Sequence, residues 1–294
     1  MTVVVNIDDW FDMRFVEKYT FSGHESFPCK SLWLKKGYDY ETAGEDFNDP
    51  QAVVKLGVGK NMVSSIRYWL KSFGLNKESR TRWIADYLLG EQGADPYMED
   101  DGTLWLLHYL LVTTGEATLY QWLFSDFQKK KKHFRRFDVI SYVKAKLLDE
   151  GRLSQFNENT VSKDVGVLLQ NYCASGEVKN NELYSSLLLD LNLIISIDKD
   201  EYAFNEDGRT AVPPEIFFFS VLTEKGDDLS VTFEDTLKRI GLIYCMTDLE
   251  IISCLKSISE KFSGIVSYSD VAGVRQLLFS KDITPKEILE VYYA

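Results

Sequence analysis

The sequence predicts a mainly α fold with small β wings: tandem winged-helix or helix-turn-helix modules, then a helical C-terminal module. Three observations carry this. Asp49–Asn76 reads as two helices around a tight turn, capped apolar helical patterns recur down the chain, and a hairpin pattern follows one of them near residue 200. At 294 residues, nearly half of them hydrophobic, the chain is long enough for two or three small domains with a substantial core. The expected domains are 1–115, 116–212 and 213–294.

Residues 1–20 open with a short strand at Val3, Val4 and Val5, then a helix-like piece to Tyr19. In Phe21–Asp39, Ser22-Gly23 is a turn signal, His24-Glu25-Ser26 is polar, and Ser31–Gly37 reads as a short helix. Asp49-Pro50 supplies an N-cap and a proline at the first helical position, with Ala52, Val53 and Leu56 facing inward. Gly57-Val58-Gly59 breaks that helix. A second begins at Lys60, with Met62, Ile66, Trp69, Leu70 and Phe73 at three- and four-residue spacing, and ends at Gly74.

Residues 75–97 would supply a wing or a supporting helix. A strong apolar helix opens at Thr103, capped by Asp101 or Thr103, and Thr118–Phe127 is another. Asp138 would cap Val139–Leu148. Phe156–Asn171 repeats the capped-turn logic, and 183–205 ends in a hairpin around Asp198–Asp200. After Pro213-Pro214 the pattern predicts helices at Glu215–Leu222, Ser230–Ile240, Thr247–Ser259, Tyr268–Leu278 and Pro285–Tyr293.

Charge narrows the function. The chain is acidic, net −12, which argues against indiscriminate nucleic-acid binding. Yet between Gln51 and Ala85, Lys55, Lys60, Arg67, Lys71, Lys77, Arg80 and Arg82 stand against the single acid Glu78. On the second helix of the pair, Lys60, Asn61, Ser64, Arg67, Tyr68 and Lys71 share the outward face. These residue types contact phosphates and base edges. Lys129–Arg136 forms a second basic island, with Lys130, Lys131, Arg135 and Arg136 as candidate backbone contacts, and Lys30 is a further one. Each basic run also has the simpler reading of a solvated face.

No apolar run reaches the roughly 18 residues a membrane helix needs, and the N-terminus lacks a signal-peptide pattern. Cys29, Cys173, Cys245 and Cys254 show no paired spacing, which points to reduced core thiols in a cytoplasmic protein. LGVGKN fails as a nucleotide loop, because Val54 stands where a P-loop needs glycine and Asn61 where it needs Ser or Thr.

His24 with Glu25 is the compact set suited to acid–base work, and a polar loop bonding its own backbone is the alternative. Asp95, Glu99 and Asp101, beside Asp100, could offer oxygen ligands to Mg²⁺ or Mn²⁺. Equally, they could be the acidic first turn of the following helix.

The blocks FSGHESFPCKSLWLKKGYD, LGVGKNMVSSIRYW and DPYMEDDGTLWLLHYLL, and more faintly VAGVRQL, resemble those of a bacterial family of unknown-function domains. It is the family of SspB, the DNA-nicking component of the Ssp DNA phosphorothioation system. The resemblance is dense from Phe21 to Leu111 and spans most of the chain. It implies a nicking endonuclease acting on double-stranded DNA in single-stranded phosphorothioation and antiphage defence. The implied partners are a cysteine desulfurase, an ATP-pyrophosphatase-like sulfurtransferase and an ATPase. It also gives weight to His24 and Glu25 as the residues of chemistry. The competing expectation is a non-catalytic winged-helix adaptor or transcriptional regulator that recruits modification enzymes.

Overall fold

The computed structural model describes residues 19–173 and 186–294. The expected strand at Val3–Val5 and the helical piece after it lie outside them. The described residues form two compact units, one ending at Thr210 and one spanning Ala211–Ala294. The protein is mainly α with small three-stranded antiparallel sheets, as the periodicities predict.

The first unit begins with α1 (Trp33–Thr42), α2 (Ala52–Leu56), α3 (Lys60–Ser72) and α4 (Arg82–Leu89). Between α2 and α3 the chain reverses at Gly57, whose φ of 64° is the left-handed conformation that glycine adopts without steric cost. Asp49 bonds the Gln51 backbone N–H at 2.8 Å, so the helix starts at Ala52 rather than at the proline. α3 buries Val63, Ile66, Trp69 and Leu70, and packs on α1 and α2. No wing strand follows it; residues 82–89 form α4.

α5 (Asp101–Thr113) is buried all round from Gly102 to Val112, the signature of a central core helix. Its N-cap is Asp100, one residue before the expected position, and its side chain accepts from Gly102 and Thr103 N–H. Then come α6 (Thr118–Trp122), a π-helical turn at Leu123–Phe127, α7 (Gln128–Lys130), β1 (His133–Phe134), α8 (Arg136–Asp149), α9 (Glu158–Tyr172), β2 (Ile194–Asp198) and β3 (Glu201–Phe204). Asp138 sits three residues into α8, where its carboxylate accepts the Arg135 N–H at 2.7 Å as half of a capping box. The sheet order is β1-β3-β2, so the expected hairpin gains a strand from the end of the lysine run.

The second unit runs α10 (Pro214–Lys225), β4 (Ser230–Thr232), a π-helical turn, α11 (Lys238–Ile243), α12 (Asp248–Lys261), β5 (Val266–Val271), β6 (Val274–Phe279) and α13 (Pro285–Tyr292). Its sheet order, β4-β6-β5, repeats that of the first unit. Two expected helices differ here. Ser230–Ile240 begins as a strand and turns helical only after it, and Tyr268–Leu278 is most of a hairpin. The turn is Ala272-Gly273, at φ of 53° and 81°. Alanine is an unusual residue in that conformation, which hid the turn signal.

Candidate nucleic-acid interface

α3 divides cleanly into two faces. Lys60, Asn61, Ser64, Arg67 and Lys71 are exposed on one side at the spacing of successive helical turns. Among the described residues, Lys60, Asn61 and Ser64 have no internal side-chain partner. Arg67 Nη1 donates to Asn48 Oδ1 at 2.9 Å, a neutral partner that leaves its charge uncompensated. Lys71 pairs with the partly exposed Glu116 at 2.8 Å. Tyr68 departs from this row: its ring is half-buried on the opposite side, against His24 and Trp69.

The buried side of α3 rests on the turn around His24. Ser22, Gly23, Glu25 and Ser26 all have positive φ. Gly23 also has no room for a side chain, since a Cβ would lie 2.5 Å from the Tyr68 ring. α3 grips the turn through Ser65 Oγ, which donates to the His24 carbonyl at 3.0 Å, and Trp69 Nε1, which donates to the Phe27 carbonyl at 3.1 Å.

His24 is 1% exposed, and both ring nitrogens are engaged. Nδ1 accepts the Ser26 backbone N–H at 3.1 Å, so Nε2 carries the proton and donates to Asp164 Oδ1 at 2.8 Å. Asp164, from α9, is itself 2% exposed. Burial pushes its carboxyl up from the usual value, while the bonds from His24 and the Ser22 backbone pull the other way. Burial likewise raises the Tyr68 phenol, with Asp164 adding to it. A second polar tie runs beside this one: Asn171 of α9 accepts the Cys29 N–H at 3.0 Å and donates to Tyr120 Oη at 2.7 Å. α9 thus holds the turn, and the turn holds α3.

His24 and Glu25 do not come together. Glu25 is exposed, and the His24 ring is turned inward onto Asp164 and Trp69. Asp164 is the partner that sequence reasoning missed. Its signal was a polar residue on the inward face of α9, between Val161 and Leu168, where an apolar side chain is the rule.

Most of the other basic candidates are tied down by carboxylates. Lys30 is half-buried, and its backbone bridges to Ser186. Lys55 pairs with Glu45, whose hydrogen bond raises the ammonium. Arg82 bonds Glu41 and Asp86 and lies 4.4 Å over the Tyr38 ring. Arg80 is exposed. In the second island Lys130 pairs with Asp126, Lys131 with Asp138, Lys132 with Glu206, Arg135 with Glu201 and Arg136 with Asp200.

Asp95 bonds the backbone N–H groups of Glu99 and Asp100 through its two oxygens, each at 3.0 Å, and so fixes the loop before α5. Glu99 and Asp101 are exposed. Their arrangement does not fit a cation site, and no group of three His, Cys, Asp or Glu able to hold a metal occurs among the described residues. No helix among those residues is long and apolar enough to cross a membrane.

Residues 21–293 match the family model described as "Protein of unknown function (DUF4007)". The chain belongs to that family. No curated protein matches it. Among solved structures, a magnesium ion-bound SspB crystal structure is similar over 94% of this chain and 88% of its own, with a TM-score of 0.81 and 24% identity. A second SspB crystal structure covers the same shares at a TM-score of 0.78 and 24% identity. At that identity the likeness shows a shared fold.

Proposed function

We propose that this member of the DUF4007 family binds double-stranded DNA with the exposed face of α3 and serves in an Ssp-type DNA phosphorothioation system. The observation that carries the reading is the row Lys60, Asn61, Ser64, Arg67. It puts cations and short polar groups on one face of the second helix of a helix-turn-helix, while the other face is locked into the core. The eleven steps from Lys60 to Lys71 span about 16 Å of helix, a length that can lie along a major groove. The order helix, strand, helix, helix, hairpin occurs twice after α3 and resembles that of winged-helix modules, which supports a DNA-binding chain without bearing on the choice of α3.

Strand nicking with Mg²⁺ or Mn²⁺, beside a desulfurase, a sulfurtransferase and an ATPase, is what the family resemblance implies within such a system, and the similar SspB structure with bound magnesium supports the choice of metal. The placement of His24 favours the other reading, a non-catalytic adaptor that presents DNA to those enzymes. A general base must reach the proton it takes, and His24 has neither exposure nor a free nitrogen. His24 therefore acts here as a positioning residue for α3.

Fluorescence anisotropy with a labelled duplex tests the binding claim. Saturable binding, weakened in a variant carrying Lys60→Ala and Arg67→Ala, is the expected result, and no binding at low salt overturns it. A supercoiled-plasmid assay with Mg²⁺ or Mn²⁺ and an EDTA control then separates the two readings. Metal-dependent open circles would assign nicking to this chain, and intact plasmid with binding retained, also with the partner enzymes present, would assign the adaptor role.

A further inference from the structure

A groove of about 400 Å³ runs beside the exposed row of α3 and shares Arg67 and Lys71 with it. Its walls also include Phe47, Asn48, Asp46 and Glu78. We propose that this groove receives a single unstacked nucleobase from DNA held on α3, selecting bases with an exocyclic amino group; the proposal rests on the DNA-binding reading.

Four features point to a base rather than a phosphate. Phe47 is half-buried, with its ring 5.0 Å from that of Tyr40, and it lines the groove, so it offers an aromatic surface for stacking. Arg67 is drawn toward the groove by Asn48, whose own amide is fixed by Asp46 at 2.9 Å. A guanidinium held this way bridges the outer row, where a phosphate passes, and the interior. The walls carry the carboxylates of Glu41, Glu45, Asp46 and Glu78 beside the Lys71 and Lys77 ammonium groups, and a carboxylate accepts from the amino groups of cytosine, adenine or guanine. Among them Glu45 is engaged by Lys55 and Glu41 by Arg82, whereas Glu78 is exposed and has no ion pair among the described residues. The volume admits one nucleotide and lies within the usual range of ligand pockets.

Extruding a base costs least where it is already unpaired, so bulged duplexes are the probe. Anisotropy titrations of the full chain compare a perfect duplex with the same duplex bearing a single adenine bulge, a thymine bulge, or an abasic bulge that bends alike without a base. The adenine bulge should bind about tenfold tighter than the abasic one, in line with one base stacked on one aromatic ring. Phe47→Leu, which keeps the apolar packing, should erase that preference. Glu78→Gln, a change at an exposed residue, should shrink the advantage of adenine over thymine and leave the perfect duplex unaffected. Equal binding of adenine and abasic bulges would overturn the base site while leaving the DNA-binding reading intact. Failure of every duplex to bind would overturn both.

Discussion

The exposed face of α3 and the segment Lys129–Arg136 both gather cations in an otherwise acidic chain. Their surroundings make them different objects. In the segment, five of the six lysines and arginines, Lys130, Lys131, Lys132, Arg135 and Arg136, each meet a carboxylate, of Asp126, Asp138, Glu206, Glu201 and Asp200, so most of the local charge is compensated. The effect shows in the acids as well. Burial tends to raise the Asp138 carboxyl, but the Lys131 ammonium and the Arg135 N–H prevail and hold it below its usual value. On α3, Lys60 has no such partner among the described residues and Arg67 leans on a neutral amide. An uncompensated cation releases counterions when it meets a phosphate, whereas a compensated one must first shed its carboxylate. Charge density along the sequence is therefore a poor guide to a phosphate surface unless the pairing is known.

The largest effect is expected behind α3. Replacing His24 with Ala leaves the buried Asp164 carboxylate without its side-chain donor and should lower the unfolding free energy by about 3 kcal/mol in urea titrations, the scale of breaking a buried pair. DNA affinity should fall with it, because the turn that seats α3 is lost. Asp164→Asn should be milder, since the amide oxygen can still accept from Nε2. A stable His24→Ala protein with full DNA affinity would break the link between the buried pair and the interface.

Next in size, Lys60→Ala together with Arg67→Ala should weaken duplex binding by tenfold or more at low salt, roughly the effect of losing two phosphate contacts. The matched change in the segment, Lys131→Ala with Arg135→Ala, should alter affinity by about twofold or less, because each lost cation had a carboxylate beside it. Similar losses in the two variants would erase the distinction drawn here.

The smallest effect is in pH. Burial raises the folded Asp164 carboxyl above its ordinary value of 3.8. In the window just above that value the folded protein keeps a proton that the unfolded chain has released, so stability falls as pH rises through it, opposite to the usual behaviour of a paired aspartate. Thermal midpoints measured from pH 4 upward should show the wild type losing ground to Asp164→Asn before levelling off. A constant difference would mean that Asp164 does not carry this burial cost.

Much of the fold was legible in local patterns. The reversal at Gly57, the two faces of α3 and the capped start of α9 follow from glycine, from periodicity and from Asn157 accepting the Thr160 N–H. What was not legible depended on distance along the chain. Asp164 is 140 residues from His24, and the carboxylate of Glu201 lies 66 residues from Arg135. No local pattern announces either pairing, and both decide what the nearby residues can do. Turn chemistry was the other gap, because the hairpin at Ala272-Gly273 carries an alanine where asparagine or aspartate would have marked it.

The most direct test is a set of three salt titrations. Duplex affinity is measured between 50 and 300 mM salt, about the range over which such contacts weaken markedly, for wild type, the Lys60/Arg67 variant and the Lys131/Arg135 variant. The logarithmic slope should flatten by about two for the α3 variant and stay at the wild-type value for the other. An unchanged slope in the α3 variant, or an equal flattening in both, would contradict the assignment of the interface to α3.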